Sequence, residues 1–291
     1  MSAGGTARDR NIQVRRVLAG LLVANVGVVG AKFVIGLGSG SLSVLGDAVH
    51  SSVDAMNNVL GLAIIAVATR GPDEDHPYGH QKFETLGALA IVMFLSVSGF
   101  EIVKGAVQRL AAGPTPLTIT PLQFGLLLGT LGVNAIVAWY ENRRGHELHS
   151  EILLADAAHT RADVFVTVGV VLGVLAARAG WPWADPVVAL GVAALIVWLA
   201  YGILARSIPV LVDEQAVPAG QIQSVAEAIG GVARAYDIRS RGPAAHRFAE
   251  LTIAVEGTAT VADAHAVADA VEASVRDALE LHEVVVHVEP C

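Results

Sequence analysis

The sequence predicts an α-helical membrane protein with six transmembrane helices, followed by a small cytoplasmic α+β domain of order αββαβ. Of its 291 residues, 54% are hydrophobic and 16% are charged, whereas soluble domains contain about 45–50% apolar and about 25% charged residues. Six apolar stretches also reach the roughly 20 residues with which a helix crosses a bilayer. They cover residues 14–38, 42–69, 83–110, 119–141, 152–178 and 184–206.

Turn residues separate these stretches, and the sequence pattern changes after the sixth. Glycine and proline mark most of the boundaries, as in Gly71-Pro72 and Gly113-Pro114. From Asp213 onward, helical and alternating periods predict five elements: a helix at 218–229, strands at 232–239 and 247–256, a helix at 262–280 and a strand at 283–289. The expected domains are a leader at 1–13, a transmembrane domain at 14–207 and a cytoplasmic domain at 208–291.

Charge is distributed unevenly along the chain. The formal net charge is −8, and the tail from Asp213 onward contains 13 acidic residues and 5 arginines. An acidic domain argues against nucleic acid as a partner, because nucleic-acid recognition starts from a basic surface. Lysine and arginine gather on one side of the predicted membrane, beginning with Arg8 and Arg10, which predicts that both termini are cytoplasmic. We expect the cytoplasmic (inner) membrane of a bacterium.

One sequence pattern occurs twice inside the membrane. The second span contains LGDAVHSSVD at 45–54, and the fifth contains LADAAHTRAD at 154–163. Histidine and aspartate at positions i and i+4 lie on one face of a helix, so each span presents a stripe of ionisable side chains. Such groups are costly at membrane depth and usually functional. The alternative is a set of hydrogen bonds between packed helices, with no ion.

If the two stripes face each other, they supply ligands for one divalent cation. His50, Asp54, His159 and Asp163 provide two imidazoles and two carboxylates, a set that suits tetrahedral Zn²⁺, whereas carboxylates alone favour Mn²⁺ or Mg²⁺. One turn away lie Asp47 and Asp156, which are expected to hydrogen-bond the ligands or to form the entry to the site.

These paired motifs, with the six spans and the αββαβ tail, resemble the cation diffusion facilitator family over nearly the whole chain. The resemblance implies a secondary transporter, not an enzyme, that exports a divalent cation in exchange for protons by alternating access. It also implies a homodimer, formed through a cytoplasmic domain that regulates and dimerises. A His-x-x-x-Asp motif on both spans usually accompanies zinc, although Fe²⁺, Cd²⁺, Co²⁺ and Mn²⁺ remain alternatives. Zn²⁺ is therefore expected as transported substrate and possible structural ion, with no organic cofactor.

The resemblance extends to the loop after the second span and to a pair of charges. Asp73, His76 and His80 resemble the ligands of a second, cytoplasm-side metal site in the family; a solvated acidic turn is the alternative. Lys82 and Asp213 resemble a charge interlock that joins the third span to the soluble domain. An exposed pair of this kind contributes about 1 kcal/mol or less, so its expected role is to fix a hinge.

In the tail, His265, His287 and Glu289 match positions where relatives bind metal between protomers. Two positions where relatives have histidine contain Tyr236 and Thr252 instead. Metal binding and simple dimer packing therefore both remain open for the soluble domain.

Two other classes of protein fit the sequence less well. A membrane metalloenzyme often has an HExxH motif and leaves one zinc position open, and HExxH is absent from the sequence. A metal sensor needs a binding site in the tail but none in the membrane, the reverse of what the motifs indicate. Two asparagines within the spans, Asn25 and Asn134, are expected to form interhelical hydrogen bonds, with a place in the lining of the cavity as the alternative for Asn25.

Overall fold

The structure is a computed structural model that describes residues 3–39, 42–112, 120–181 and 183–291. Contacts divide the chain into two compact units, one spanning Arg8–Ser207 and the other containing Ile208–Cys291. In the described residues, six long helices lead into the second unit: α1 (Ala3–Ser39), α2 (Leu42–Ala68), α3 (Lys82–Ala112), α4 (Pro121–Glu147), α5 (Glu151–Arg178) and α6 (Ala184–Leu211).

The long helices have the length and composition of membrane spans. Within the described residues, α1, α3, α4, α5 and α6 each contain a segment long and apolar enough to cross a membrane, and α2 contains a shorter apolar segment, Ala55–Ala68. This architecture, together with the small α+β domain described below, confirms the predicted fold class.

Helix α5 lies against α2, α3 and α4. Its buried face consists largely of alanine, including Ala155, Ala158 and Ala162. Small residues allow helices to approach closely in a membrane. A glycine allows the same close approach between α2 and α3. There, a Cβ atom on Gly87 would come within 2.6 Å of the Ile64 side chain.

A cluster of polar contacts joins the beginnings of α1, α3 and α5. Arg10 donates to the Glu84 carboxylate at 2.9 and 3.2 Å, and to the main-chain oxygens of Leu148 and His149 at 2.7 and 2.9 Å. The Ser150 hydroxyl also donates to Glu84. Removing one partner of a charged pair with little exposure strongly destabilises a protein, because the other charge is left buried and unpaired. This cluster therefore fixes the mutual position of the three helix ends.

The second unit has the predicted αββαβ order. Its elements are α7 (Ala219–Glu227), β1 (Arg234–Arg241), β2 (Phe248–Val255), α8 (Val261–Ala278) and β3 (Glu283–Pro290). The described strands form one sheet of order β1-β2-β3, in which β1 and β2 are antiparallel while β2 and β3 are parallel. Parallel strands need a crossover, which α8 provides. Ile222 of α7, Ile253 of β2 and Val271 of α8 meet in the core.

Candidate metal-binding sites

The α5 half of the predicted transport site lies on one face of the helix. Asp156 and His159 are buried, and Asp163 is partly buried. One turn separates His159 from Asp163, and the histidine Nε2 lies 3.8 Å from the aspartate Oδ2. The i, i+4 spacing therefore brings an imidazole nitrogen and a carboxylate oxygen to nearly the separation of two ligands of one ion.

Two asparagines of α2 contact this face of α5. The Asn57 amide nitrogen lies 3.1 Å from His159 Nε2, and the Asn58 amide donates to Asp156 Oδ2 at 2.8 Å. Asn58 in turn accepts a hydrogen bond of 2.6 Å from Asn25 of α1, which confirms the interhelical bond predicted for Asn25. Neither asparagine of α2 was predicted from the sequence, although neighbouring amides in an apolar span are a usable signal.

The other predicted asparagine behaves differently. Asn134 of α4 is half-buried, and its side chain has no hydrogen bond within the part of the chain that the structure describes. The interhelical bond expected for it is therefore not observed among those residues.

The side chains of Asp47, His50 and Asp54 lie outside the described part of the structure, whereas the path of α2 is described. The next residue along α2, Asn58, contacts an earlier residue of α5 than Asn57 does, as expected for antiparallel helices. Residue 54 precedes these asparagines by about 4.5 to 6 Å along the axis. Because α2 and α5 are antiparallel, residue 54 of α2 lies at the height along the axis where α5 has the residues between His159 and Asp163.

Helical geometry also relates these contacts to the motif on α2. At about 100° per residue, Asn57 and Asn58 are about 100° apart around the axis, and the direction midway between them points toward α5. The mean direction of positions 47, 50 and 54 on an ideal helix falls within about 10° of that midpoint. The motif positions thus occupy the face of α2 that is turned toward α5.

Two further ionisable residues are buried between the spans. Lys32 of α1 is 3% exposed, and its ammonium group donates to Ser51 of α2 at 2.8 Å. Glu141 of α4 is 1% exposed and accepts a hydrogen bond of 2.9 Å from Thr160 of α5. Neither residue was predicted from the sequence to have a role, although a single charge within an apolar span is itself a signal.

The loop between α2 and α3 brings together the three residues predicted for a second site. One ligand atom from each of Asp73, His76 and His80 can be chosen so that all lie within 4.8 Å of one another. His76 Nδ1 lies 3.1 Å from Asp73 Oδ1, and His80 Nε2 lies 3.4 Å from Asp73 Oδ2. Gly79 permits this turn through its positive φ of 81°.

Hydrogen bonds prepare these side chains to bind a cation. The main-chain amide of His76 donates to Asp73 Oδ1 at 2.7 Å and lowers the pKa of that carboxyl below its usual 3.8, so the carboxylate is ionised. His80 is 4% exposed, and its Nδ1 lies 3.2 Å from the Gly71 carbonyl oxygen. A carbonyl only accepts, so Nδ1 bears a hydrogen, and Nε2, on the side of Asp73, is the ring nitrogen that is left to bind a metal.

The soluble-domain residues are arranged more loosely. His287 and Glu289 lie on β3 with Nε2 and Oε1 separated by 3.7 Å, and Glu289 also accepts a hydrogen bond from the Tyr236 hydroxyl. His265 is exposed on α8, 3.7 Å from Asp269. Among the described residues of the single chain, His265, His287 and Glu289 do not form a compact trio like that of the loop. A site between protomers stays a prediction.

The two residues of the predicted charge interlock belong to different units of the chain. Lys82 begins α3, and Asp213 follows α6 with a positive φ of 54°. Within its own unit, Asp213 lies 3.9 Å from Arg241 of β1. The interlock stays a prediction, and Arg241 is an additional cation near Asp213 that was not predicted from the sequence.

Comparison with known proteins identifies the two regions separately. Residues 19–212 match the cation efflux transmembrane domain, and residues 218–291 match the cytoplasmic domain of cation efflux proteins. One solved structure of MamM-CTD is 27% identical to this chain, covering 25% of this chain and 91% of its own, with a TM-score of 0.24.

Relatives match along most of the chain. The uncharacterized transporter sll1263 of Synechocystis is 31% identical over 87% of this chain and 82% of its own length. The uncharacterized transporter MJ0449 of Methanocaldococcus jannaschii is 28% identical over 95% and 98%, and the cation-efflux pump FieF of Salmonella newport is 28% identical over 87% and 85%. The chain therefore belongs to the cation efflux family of membrane transporters, the family that its paired motifs resemble.

Proposed function

We propose that this transporter exports a divalent transition-metal cation, with Zn²⁺ as the favoured substrate, from the cytoplasm in exchange for protons. The ion is held by His50, Asp54, His159 and Asp163 and reaches each side of the membrane by alternating access. Family membership supports efflux of metal cations. The name of one relative, cation-efflux pump FieF, also describes cation efflux. The metal, the proton coupling and the four ligands are proposals.

The observation that carries the proposal is the pair of contacts between α2 and α5. Because Asn57 reaches His159 and Asn58 reaches Asp156, the face of α2 that contains positions 50 and 54 is turned toward the ligand-bearing face of α5. If each helix supplies half of the ligands of one ion, the two ligand faces must point toward each other in this way. Contacts of α2 on the opposite face would have made a shared ion impossible.

The chemistry of the donor set explains both the choice of ion and the coupling to protons. Two neutral imidazoles and two carboxylates carry a total charge of −2, which one divalent cation neutralises inside the membrane. Imidazole lone pairs bind either a metal or a proton, so the two compete. Histidine has an ordinary pKa of about 6.5, which allows this exchange near neutral pH.

The other predicted features take supporting roles in this proposal. The loop trio of Asp73, His76 and His80 offers a second metal site, and its two imidazoles and one carboxylate suit a borderline ion such as Zn²⁺. A homodimer forms through the cytoplasmic domain, residues 208–291, and both termini are cytoplasmic in a bacterial inner membrane. The Lys82–Asp213 interlock and a metal site at His265, His287 and Glu289 belong to the same proposal.

The test is metal flux in vesicles that contain the purified full-length protein and a pH gradient. Wild-type protein is expected to move Zn²⁺ against the proton flow, and Asp163→Asn, which keeps the side-chain shape but loses its charge, is expected to abolish flux. Glu101→Gln is the matched control, because Glu101 is an exposed carboxylate near Lys104 on α3. Unchanged flux in Asp163→Asn contradicts the proposed site, and flux independent of the pH gradient contradicts proton exchange.

A further inference from the structure

Asn57 of α2 contacts His159, a proposed ligand on α5. Its side chain is 4% exposed, and its amide end lies 3.1 Å from His159 Nε2. It follows Asp54 by three residues, so both positions lie on neighbouring parts of one helix face. The side-chain amide of Asn57 has a neutral carbonyl oxygen, which can bind a cation, in addition to its N–H donors.

Distances around His159 Nε2 match the separations between ligands of one metal ion. Bonds of about 2.0 to 2.1 Å in a tetrahedral zinc site place two ligands about 3.3 Å apart, and octahedral sites with bonds near 2.1 Å place neighbouring ligands about 3.0 Å apart. Around Nε2, the Asn57 amide lies at 3.1 Å and Asp163 Oδ2 at 3.8 Å. The amide is therefore already at the spacing of a ligand adjacent to the histidine.

We propose that Asn57 is a specificity-determining residue of the transport site, whose amide oxygen serves as a fifth ligand of the transported ion. In the metal-free protein the amide nitrogen donates to the lone pair of Nε2. When an ion takes that lone pair, a half-turn of the amide about its Cβ–Cγ bond exchanges nitrogen for oxygen and directs the oxygen to the ion. This inference rests on the proposed transport function and adds a ligand to its site.

The added ligand favours particular ions. Zn²⁺ is satisfied by four ligands, whereas Mn²⁺ prefers oxygen donors and an octahedral arrangement. Because the amide is neutral, it raises the number of ligands without changing the charge of the site or the number of protons that compete with the metal. Asn57 therefore broadens the accepted substrates toward ions of higher coordination number, above all Mn²⁺, at little benefit to Zn²⁺.

The experiment compares Zn²⁺ and Mn²⁺ flux in vesicles that contain the full-length protein. Asn57→Ala is expected to lower the ratio of Mn²⁺ to Zn²⁺ flux about tenfold, while Asn57→Asp, which keeps an oxygen ligand, retains or raises that ratio. Asn134→Ala is the matched control, because it removes a half-buried asparagine of α4 and is expected to leave the ratio unchanged. An equal loss of both fluxes in Asn57→Ala, or no loss of either, overturns the proposal.

A spectroscopic measurement guards against a variant that folds poorly. Co²⁺ binding is followed by absorption in detergent, with Asp73→Ala and His287→Ala in every protein to remove the loop site and the proposed soluble-domain site. Asn57→Ser is expected to shift the spectrum toward the more intense bands of four-coordinate Co²⁺, and an unchanged spectrum overturns the fifth ligand. The proposed function fails separately, when wild-type protein moves no metal or when Asp163→Asn still transports.

Discussion

Asn58 of α2 forms hydrogen bonds to both α1 and α5, so its replacement by alanine is expected to lower the stability of the protein. Its amide oxygen accepts from Asn25 of α1 at 2.6 Å, and its amide nitrogen donates to Asp156 of α5 at 2.8 Å. Asn58→Ala removes both hydrogen bonds. It leaves the buried Asp156 carboxyl without this donor, where water has little access.

The expected loss of stability follows from the two bonds. Side-chain hydrogen bonds between membrane helices contribute about 0.6 kcal/mol on average and at most about 1.7 kcal/mol. Removing two of them therefore lowers the free energy of unfolding by about 1 to 3.5 kcal/mol. Because α1 and α5 are both held through Asn58, the loss is also expected to reduce metal flux.

The assay is reversible unfolding of the full-length protein in mixed detergent micelles, followed by circular dichroism. Asn25→Ala and the double variant complete a double-mutant cycle, whose coupling energy is expected at about 0.6 to 1.7 kcal/mol. Asn134→Ala is the control for loss of an asparagine in a span. An effect of Asn58→Ala within about 0.5 kcal/mol of that control, the usual range for substitutions without a structural role, refutes the reasoning.

Two other expectations concern the loop and the soluble domain. Gly79→Ala forces a side chain onto a φ of 81°, at a cost of about 1 to 2 kcal/mol, and is expected to weaken Zn²⁺ binding to the loop about tenfold in an Asp163→Ala background. Gly71→Ala is the control because a Cβ there meets no atom within 4 Å, and equal affinities in the two variants contradict the expectation. His282 stacks on His246 with ring centroids 3.5 Å apart, and burial lowers its pKa below 6.5. Between that lowered pKa and pH 6.5, His282 binds fewer protons in the folded protein than in the unfolded chain. Its contribution to the free energy of unfolding is therefore full above pH 6.5 and falls as the pH drops from 6.5 to the lowered pKa. Thermal unfolding between pH 5 and 8 is expected to show this loss in wild-type protein and not in His282→Phe.

Much of the fold was predictable because it depends on local properties of the chain. The lengths of the apolar stretches predicted helices close to the observed α2 and α6, and alternation predicted β2 at 247–256 against the observed Phe248–Val255. Within α5, the spacing of His159 and Asp163 follows from helical geometry alone. These features need only the sequence, since the bilayer requires that backbone groups be satisfied within each helix.

The surroundings of the site were less predictable. Nothing in the motif indicates that Asn57 reaches His159, that Lys32 reaches Ser51 or that Glu141 accepts from Thr160. Asn25 and Asn134 have the same expectation from the sequence, yet of these two only Asn25 forms a side-chain bond to another helix within the described residues. Which polar side chain finds a partner depends on the neighbour that packs against it, and that neighbour is distant in sequence.

By itself, the sequence determined that the chain spans a membrane, that two of its helices have matching stripes of histidine and aspartate, and that a small αββαβ domain follows. Tertiary structure alone decided that α2 turns its motif face toward α5, through Asn57 and Asn58. The physical reason is that periodicity fixes which residues share a face of one element, whereas the rotation and register of two packed helices are set by the contacts between them.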